Sequence, residues 1–228
     1  MIPFSRMIKY GNVIPTSTDI LDLDFSTMQV GSTVLYDGSG QTFQQLGGFV
    51  GVVRYDSDLG ANVYDCAGNL GYARTPYPIQ GTKFDLSQYD AFEIKYSLKF
   101  SSSDMMNFFE TGTFGSRRIG GIANAFNQFP ATYNQLFIDT GVNDNFYRIL
   151  SVGVNPNAWD EITMTFRKGI EITVHSKFYN NTQTFPWYNI VSSGLQYFSL
   201  FGSYVNGDIG ASPNPYTGKV GFVRIREL

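Results

Sequence analysis

The 228 residues predict an all-β protein folded as an antiparallel sandwich, and three observations carry that reading. The composition leans to strands and tight turns, with 20 Phe, 15 Tyr and 24 Gly, and with Asp far outnumbering Glu. Aromatic residues suit a pleated surface, Asp suits turns and caps, and Glu suits helix interiors. No long window shows an apolar period of about 3.6 residues, whereas several segments alternate apolar and polar residues strictly, as a half-buried strand does.

Taken in chain order, the first 18 residues hold Pro3, Pro15 and a mixed apolar and basic run. They read as an N-terminal extension, residues 1–18, ahead of one β-sandwich domain over residues 19–228. Strands are expected near 33–36 and 49–55. The run AFEIKYSLKF then places Phe92, Ile94, Tyr96, Leu98 and Phe100 on one face and Glu93, Lys95, Ser97 and Lys99 on the other. Further strands are expected near 135–139 and 147–152. Ile162, Met164 and Phe166 alternate with Thr163, Thr165 and Arg167, and Ile170, Ile172 and Val174 alternate with Glu171, Thr173 and His175. Arg167-Lys168-Gly169 between them forms a short hairpin connection, with the glycine free to take a positive φ. After a strand near 197–201, the last strand, over 219–228, turns Val223 and Ile225 inward and Arg224 and Arg226 outward. Ten or more strands follow one another with no linker-like block between them. One near the start and one at the very end suit a sandwich whose termini pair side by side.

Composition also excludes much chemistry. The 16 Lys and Arg against 19 Asp and Glu leave a formal charge of −3, without the basic surplus that nucleic acid requires. With 43% hydrophobic and 16% aromatic residues the chain is not of the disordered class. A single cysteine, Cys66, rules out an internal disulfide framework and a cysteine zinc site. The single histidine, His175, rules out His-pair metal motifs. No apolar run is long enough to span a membrane, and the N-terminus lacks the apolar core and cleavage site of a signal peptide.

Several segments, in order, resemble the concanavalin A-like jelly-roll family, in particular its laminin-G-like members. Asp22-Leu23-Asp24-Phe25-Ser26, then Gly31-Ser32-Thr33-Val34 and Asp37-Gly38-Ser39-Gly40, look like that family's opening strand and D-x-S-G turn. The segment from Phe92 to Phe100 is similar to its early core strand, and Trp159 ahead of Ile162-Thr163-Met164-Thr165-Phe166 to its tryptophan, strand and hairpin. Tyr216-Thr217-Gly218-Lys219-Val220-Gly221-Phe222 resembles its closing strand. One departure stands out: Phe185-Pro186-Trp187-Tyr188 replaces the usual short V-D-G hairpin end. The resemblance implies two stacked antiparallel sheets, often with sugar or protein ligands at a concave face or loop rim. Such folds host many activities, so the site must carry the functional argument.

Glycoside hydrolysis needs two carboxylates across the scissile bond. No E-x-D-x-x-E run is present; Glu93 shares its face with Lys95 and Lys99, while Glu161 and Glu171 stand alone. A serine nucleophile would depend on His175 as its base, and no G-x-S-x-G occurs. The expectation is a protein without catalytic residues. Asp22, Asp24 and Asp37, with Asp19, are the candidate calcium ligands; no other cofactor is indicated. Four bulky residues in succession cannot all face one core, so Phe185, Trp187 and Tyr188 are candidates for an exposed aromatic rim that stacks on sugars or anchors a partner. Arg117 and Arg118, between glycines, are candidates to grip an acidic sugar or a partner carboxylate.

Sparse charge (15%), no signal peptide and a surface rich in Asn, Gln, Ser, Thr, Tyr and Gly suit a protein of a virus particle. The expectation is therefore a phage-type virion protein, either a tail or fibre adhesin or a capsid-surface component. It would dock to other virion proteins through residues 1–18, form a homo-oligomer, and present the sandwich to cell-surface glycans. The alternative is a free carbohydrate-binding module or lectin.

Overall fold

The structure, a computed structural model, describes residues 19–99, 158–186, 197–202 and 215–228, with backbone alone at 185–186 and in the strands at 106–111, 119–123 and 136–138. The expected extension 1–18, the strand at 147–152 and Phe100 lie outside the described residues. Among the described residues fourteen strands follow one another. They are β1 (Asp19–Asp24), β2 (Gln44–Leu46), β3 (Val52–Asp56), β4 (Ala61–Asp65), β5 (Tyr72–Arg74), β6 (Ala91–Lys99) and β7 (Met106–Thr111). After these come β8 (Ile119–Ala123), β9 (Leu136–Ile138), β10 (Asp160–Arg167), β11 (Glu171–Ser176), β12 (Asn181–Pro186), β13 (Phe198–Leu200) and β14 (Lys219–Glu227).

The strands form two antiparallel sheets. The larger has eight strands in the order β12-β11-β10-β6-β14-β4-β3, with β1 also paired to β14, and the smaller has six in the order β2-β5-β13-β7-β8-β9. The first and last strands lie side by side, Leu21 opposite Ile225 and Leu23 opposite Val223, as the terminal patterns predict. In β6, β10 and β11 the alternation is the expected one: Phe92, Ile94, Tyr96, Leu98, Ile162, Met164, Phe166, Ile172 and Val174 are all fully buried. Phe92 and Phe166, opposite each other across β6 and β10, stack at 4.6 Å between ring centroids. Each such side chain withdrawn from water contributes about 1.5–3 kcal/mol.

Three local expectations are corrected. Residues 33–36 form no strand, only a single bridge from Tyr36 to Thr42. Leu35 is buried between exposed Val34 and Tyr36, because the chain turns at once around Asp37. That carboxylate accepts the N–H groups of Ser39 and Gln41 at 3.0 and 2.8 Å, which gives the D-x-S-G segment its turn. The strand expected over 49–55 begins at Val52, since Gly47 and Gly48, both at positive φ, turn the chain ahead of Phe49. Ile170 is 65% exposed instead of inward. Arg167 pairs with Glu171, so 168–170 lie beyond the ladder, and the turn closes through the Ile170 N–H on the Arg167 carbonyl with Gly169 at φ +68°.

Two features tie the sheets and loops together. Asn69, fully buried, offers its amide nitrogen to the carbonyls of Gly71, Phe201 and Tyr216 within 3.2 Å, while its oxygen accepts from the N–H of Val50 and Gly71. In β14 the register shifts between Val220 and Phe222. A side chain at Gly221 would meet Ser97 Oγ at 2.9 Å and Leu59 Cδ2 at 3.1 Å, so the closing strand carries glycine where the β3–β4 turn lies against it.

Candidate functional site

One end of the large sheet collects the features that could meet a ligand. Register brings the start of β10, the end of β11, the end of β6 and the start of β14 together: Ile162 faces Ser176, Asp160 faces Leu98 and Lys219 faces Lys99. From this end projects the β11–β12 turn, residues 177–180, with Ser176 paired to Asn181 at its base.

Phe178 and Tyr179 stand on that turn, 48% and 43% exposed, with their rings edge to face at 4.9 Å. Two adjacent residues at a hairpin tip have no core to enter, so both rings stay partly in water, one against the other. Their backbone is nonetheless held. Asp160, buried at the start of β10, accepts the Phe178 N–H at 2.9 Å and the Ser176 hydroxyl. Ser176 Oγ in turn accepts the Tyr179 N–H at 3.3 Å, and the Lys177 N–H donates to the Glu161 carbonyl at 3.0 Å. Asn180 takes a left-handed conformation, φ +48°, which Asn tolerates better than most residues. The pair is thus presented on a fixed turn, with little ordering entropy left to lose on binding.

Trp159, immediately before β10, is half-buried and donates its indole N–H to Asp56 Oδ1 at 3.2 Å. Asp56 also accepts the N–H groups of Asp58 and Leu59 at 3.0 Å, and Lys219 Nζ at 2.7 Å. Burial pushes this carboxyl up, but Lys219 and the N–H donors of Leu59 and Trp159 outweigh it and hold its pKa at about 2. Glu161 sits between Lys95 at 2.6 Å and Lys177 at 3.3 Å, and Lys99 pairs with Asp58 at 2.7 Å. Burial raises the Glu161 pKa, yet the two ammonium groups hold it below its ordinary value. Chemically, this end offers partly exposed aromatic rings on a turn whose N–H groups are bonded inward, and among the described residues its acids are already bonded to cations, hydroxyls or N–H donors.

The described residues among those singled out from sequence fall elsewhere. Phe185 and Pro186 lie in the ladder of β12, opposite Ile172 and Glu171, and the hairpin end is at 177–180 instead. Trp187, Tyr188, Arg117 and Arg118 lie outside the described residues. Asp22 and Asp24 both face Arg224, at 3.0 and 2.7 Å, and Asp37, buried, faces Lys83 at 3.0 Å. These three acids are therefore each engaged by a cation, and among the described residues no three His, Cys, Asp or Glu side chains gather as a metal would require. His175 lies on the polar face, its Nδ1 2.9 Å from Thr182 Oγ1. Cys66 is buried, and burial pushes its thiol well above the ordinary value, so it is not poised as a nucleophile. Phe178 and Tyr179 carry a signal that sequence reading passed over. They are adjacent aromatics directly after an alternating strand and before Asn180-Asn181, where a turn is expected.

No protein-family model matches the chain, and no curated protein matches it in sequence. Solved structures do. Domain 4 of an extracellular GH43 arabinanase from Geobacillus stearothermophilus, solved with arabinotriose, superposes with a TM-score of 0.59 at 12% identity over 92% of each chain. A Trypanosoma rangeli sialidase, solved with sialic acid, gives 0.56 at 14% identity over 94% of this chain and 32% of its own. The binding domain of botulinum neurotoxin serotype D/C gives 0.50 at 11% identity over 92% of this chain and 49% of its own. This chain thus spans about a third to a half of those two larger proteins. At such identities the likeness speaks to architecture: the chain is a two-sheet antiparallel β-sandwich of jelly-roll-like form, the fold its sequence predicts.

Proposed function

We propose that this chain is a non-catalytic, lectin-like carbohydrate-binding module whose ligand is met at the aromatic end of the large sheet. The observation that carries the reading is the Phe178–Tyr179 pair, exposed on a turn that Asp160 and Ser176 hold rigid. Aromatic faces stack on the C–H faces of sugar rings, and a preorganised loop keeps the gain from being spent on ordering. The arabinanase domain of the same fold, solved with arabinotriose, supports the reading by analogy of architecture.

A glycan array with the wild type beside Phe178→Ala and Tyr179→Ala, matched for folding by circular dichroism, tests it. Each variant is expected to lose binding by about tenfold or more, the scale of a lost stacking contact. Equal binding by all three proteins overturns the site. Trp187→Ala belongs on the same array, since Trp187 and Tyr188 follow β12 directly.

A virion setting is the second reading, favoured by the 15% charged composition, which suits extensive subunit contacts. There the module serves a phage-type adhesin or capsid-surface protein, docked through residues 1–18 and assembled as a homo-oligomer. Loss of particle incorporation on deleting residues 1–18 is the expected outcome; normal incorporation sinks the docking role.

A further inference from the structure

Among the described residues, every charged group around the aromatic end has a partner. Lys95 and Lys177 share Glu161, Lys99 meets Asp58, Lys219 meets Asp56 and Arg54 meets Asp65 at 3.6 Å. Asp160, the remaining acid among the described residues, spends its oxygens on the Ser176 hydroxyl and the Phe178 N–H beneath the tip. Among the described residues five cations thus stand near five carboxylates, and each of the ten has a hydrogen-bond or ion-pair partner. The cation nearest the aromatic pair in sequence is Lys177, 70% exposed but already bonded to Glu161 Oε2.

A carboxylated sugar stacked on Phe178 or Tyr179 would need a free cation beside the ring. Its nearest candidate is Lys177, and using it means displacing Glu161 while placing a second carboxylate next to the first. Like-charge contact of this kind is how a site rejects one ligand class without losing another. A neutral saccharide meets no such penalty. We infer that the aromatic end selects neutral saccharides and that Glu161 is the residue that sets this charge preference, by occupying both Lys95 and Lys177. The inference rests on the carbohydrate reading above.

It is tested with matched-length neutral and uronate oligosaccharides, measured by calorimetry on the wild type and on Glu161→Gln. The wild type is expected to bind a neutral probe at least about tenfold more tightly than any uronate, with less than about a twofold change between low and high salt, because screening has no net attraction to weaken. Glu161→Gln frees two ammonium groups, so its uronate affinity is expected to rise by about tenfold at low salt and to fall back at high salt. A wild type that prefers uronates, or whose neutral binding collapses with salt, overturns the inference and leaves the carbohydrate reading standing. A folded Glu161→Gln with unchanged uronate affinity removes the role assigned to Glu161. The salt series on the wild type needs no variant and decides the charge class even if Glu161→Gln fails to fold. Absence of binding to every oligosaccharide fails the carbohydrate reading itself, and the inference with it.

Discussion

Asp56 is 4% exposed and yet holds its charge, because Lys219, two turn N–H groups and the Trp159 indole converge on it. Its folded pKa of about 2 lies below the ordinary 3.8. A depressed folded value stabilises above the unfolded pKa and is lost as pH falls toward the folded one, so the contribution, about 2 kcal/mol, disappears between about pH 4 and pH 2. Urea titrations across that range are expected to show a steeper acid loss in the wild type than in Asp56→Asn. Parallel pH profiles would disprove the assignment. Asn69 is the neutral counterpart: one amide serves three carbonyls and two N–H groups. Asn69→Ala leaves buried polar groups unpaired and is expected to cost about 2–4 kcal/mol, read as a fall in the urea midpoint. Neither role is visible in the sequence, where Asp56 and Asn69 look like two more turn residues. Their partners stand up to 163 residues away, which no local pattern reports.

At the level of single elements, the β11–β12 hairpin carries the proposed site. Asp160 pins its tip from the neighbouring strand, so Asp160→Asn is expected to loosen residues 177–180 and weaken the proposed sugar binding several-fold, with the sandwich still folded. Hydrogen exchange at Phe178 and Tyr179 measures the loosening directly; unchanged exchange would show that the turn holds itself. The β10–β11 turn makes the contrasting case. Gly169→Ala forces a side chain into a left-handed position and is expected to cost about 1 kcal/mol in chemical denaturation, with no effect on binding. The strands β6, β10 and β11 were legible because each has one wet and one dry face, so their residues alternate. β13 falls within the strand expected near 197–201, with all three of its residues buried. β2 and β5 are three residues long, too short for any period to show. Ile170 was misplaced because it continues the alternation of its strand by one residue beyond the ladder.

At the scale of the molecule, closure of the large sheet depends on β1 lying against β14. Leu21 and Leu23 are fully buried there, and Arg224 reaches both Asp22 and Asp24. A chain beginning at residue 25 is expected to lose cooperative thermal unfolding, since it strips one edge of β14 and opens the core between the sheets. A sharp calorimetric transition from that truncation would show the pairing to be dispensable. The fold class, the inward faces of the long strands and the pairing of an early strand with the last one can be read from the residues alone, because burial on one side of a sheet writes a period of two into the chain. It took the folded chain to show that Phe178 and Tyr179 stand half-exposed on one turn, that Arg224 and Lys83 engage Asp22, Asp24 and Asp37, and that Lys95 and Lys177 share Glu161. Those facts depend on side chains that meet across strands and turns distant in sequence, and a linear pattern records what each residue faces but not whom it meets.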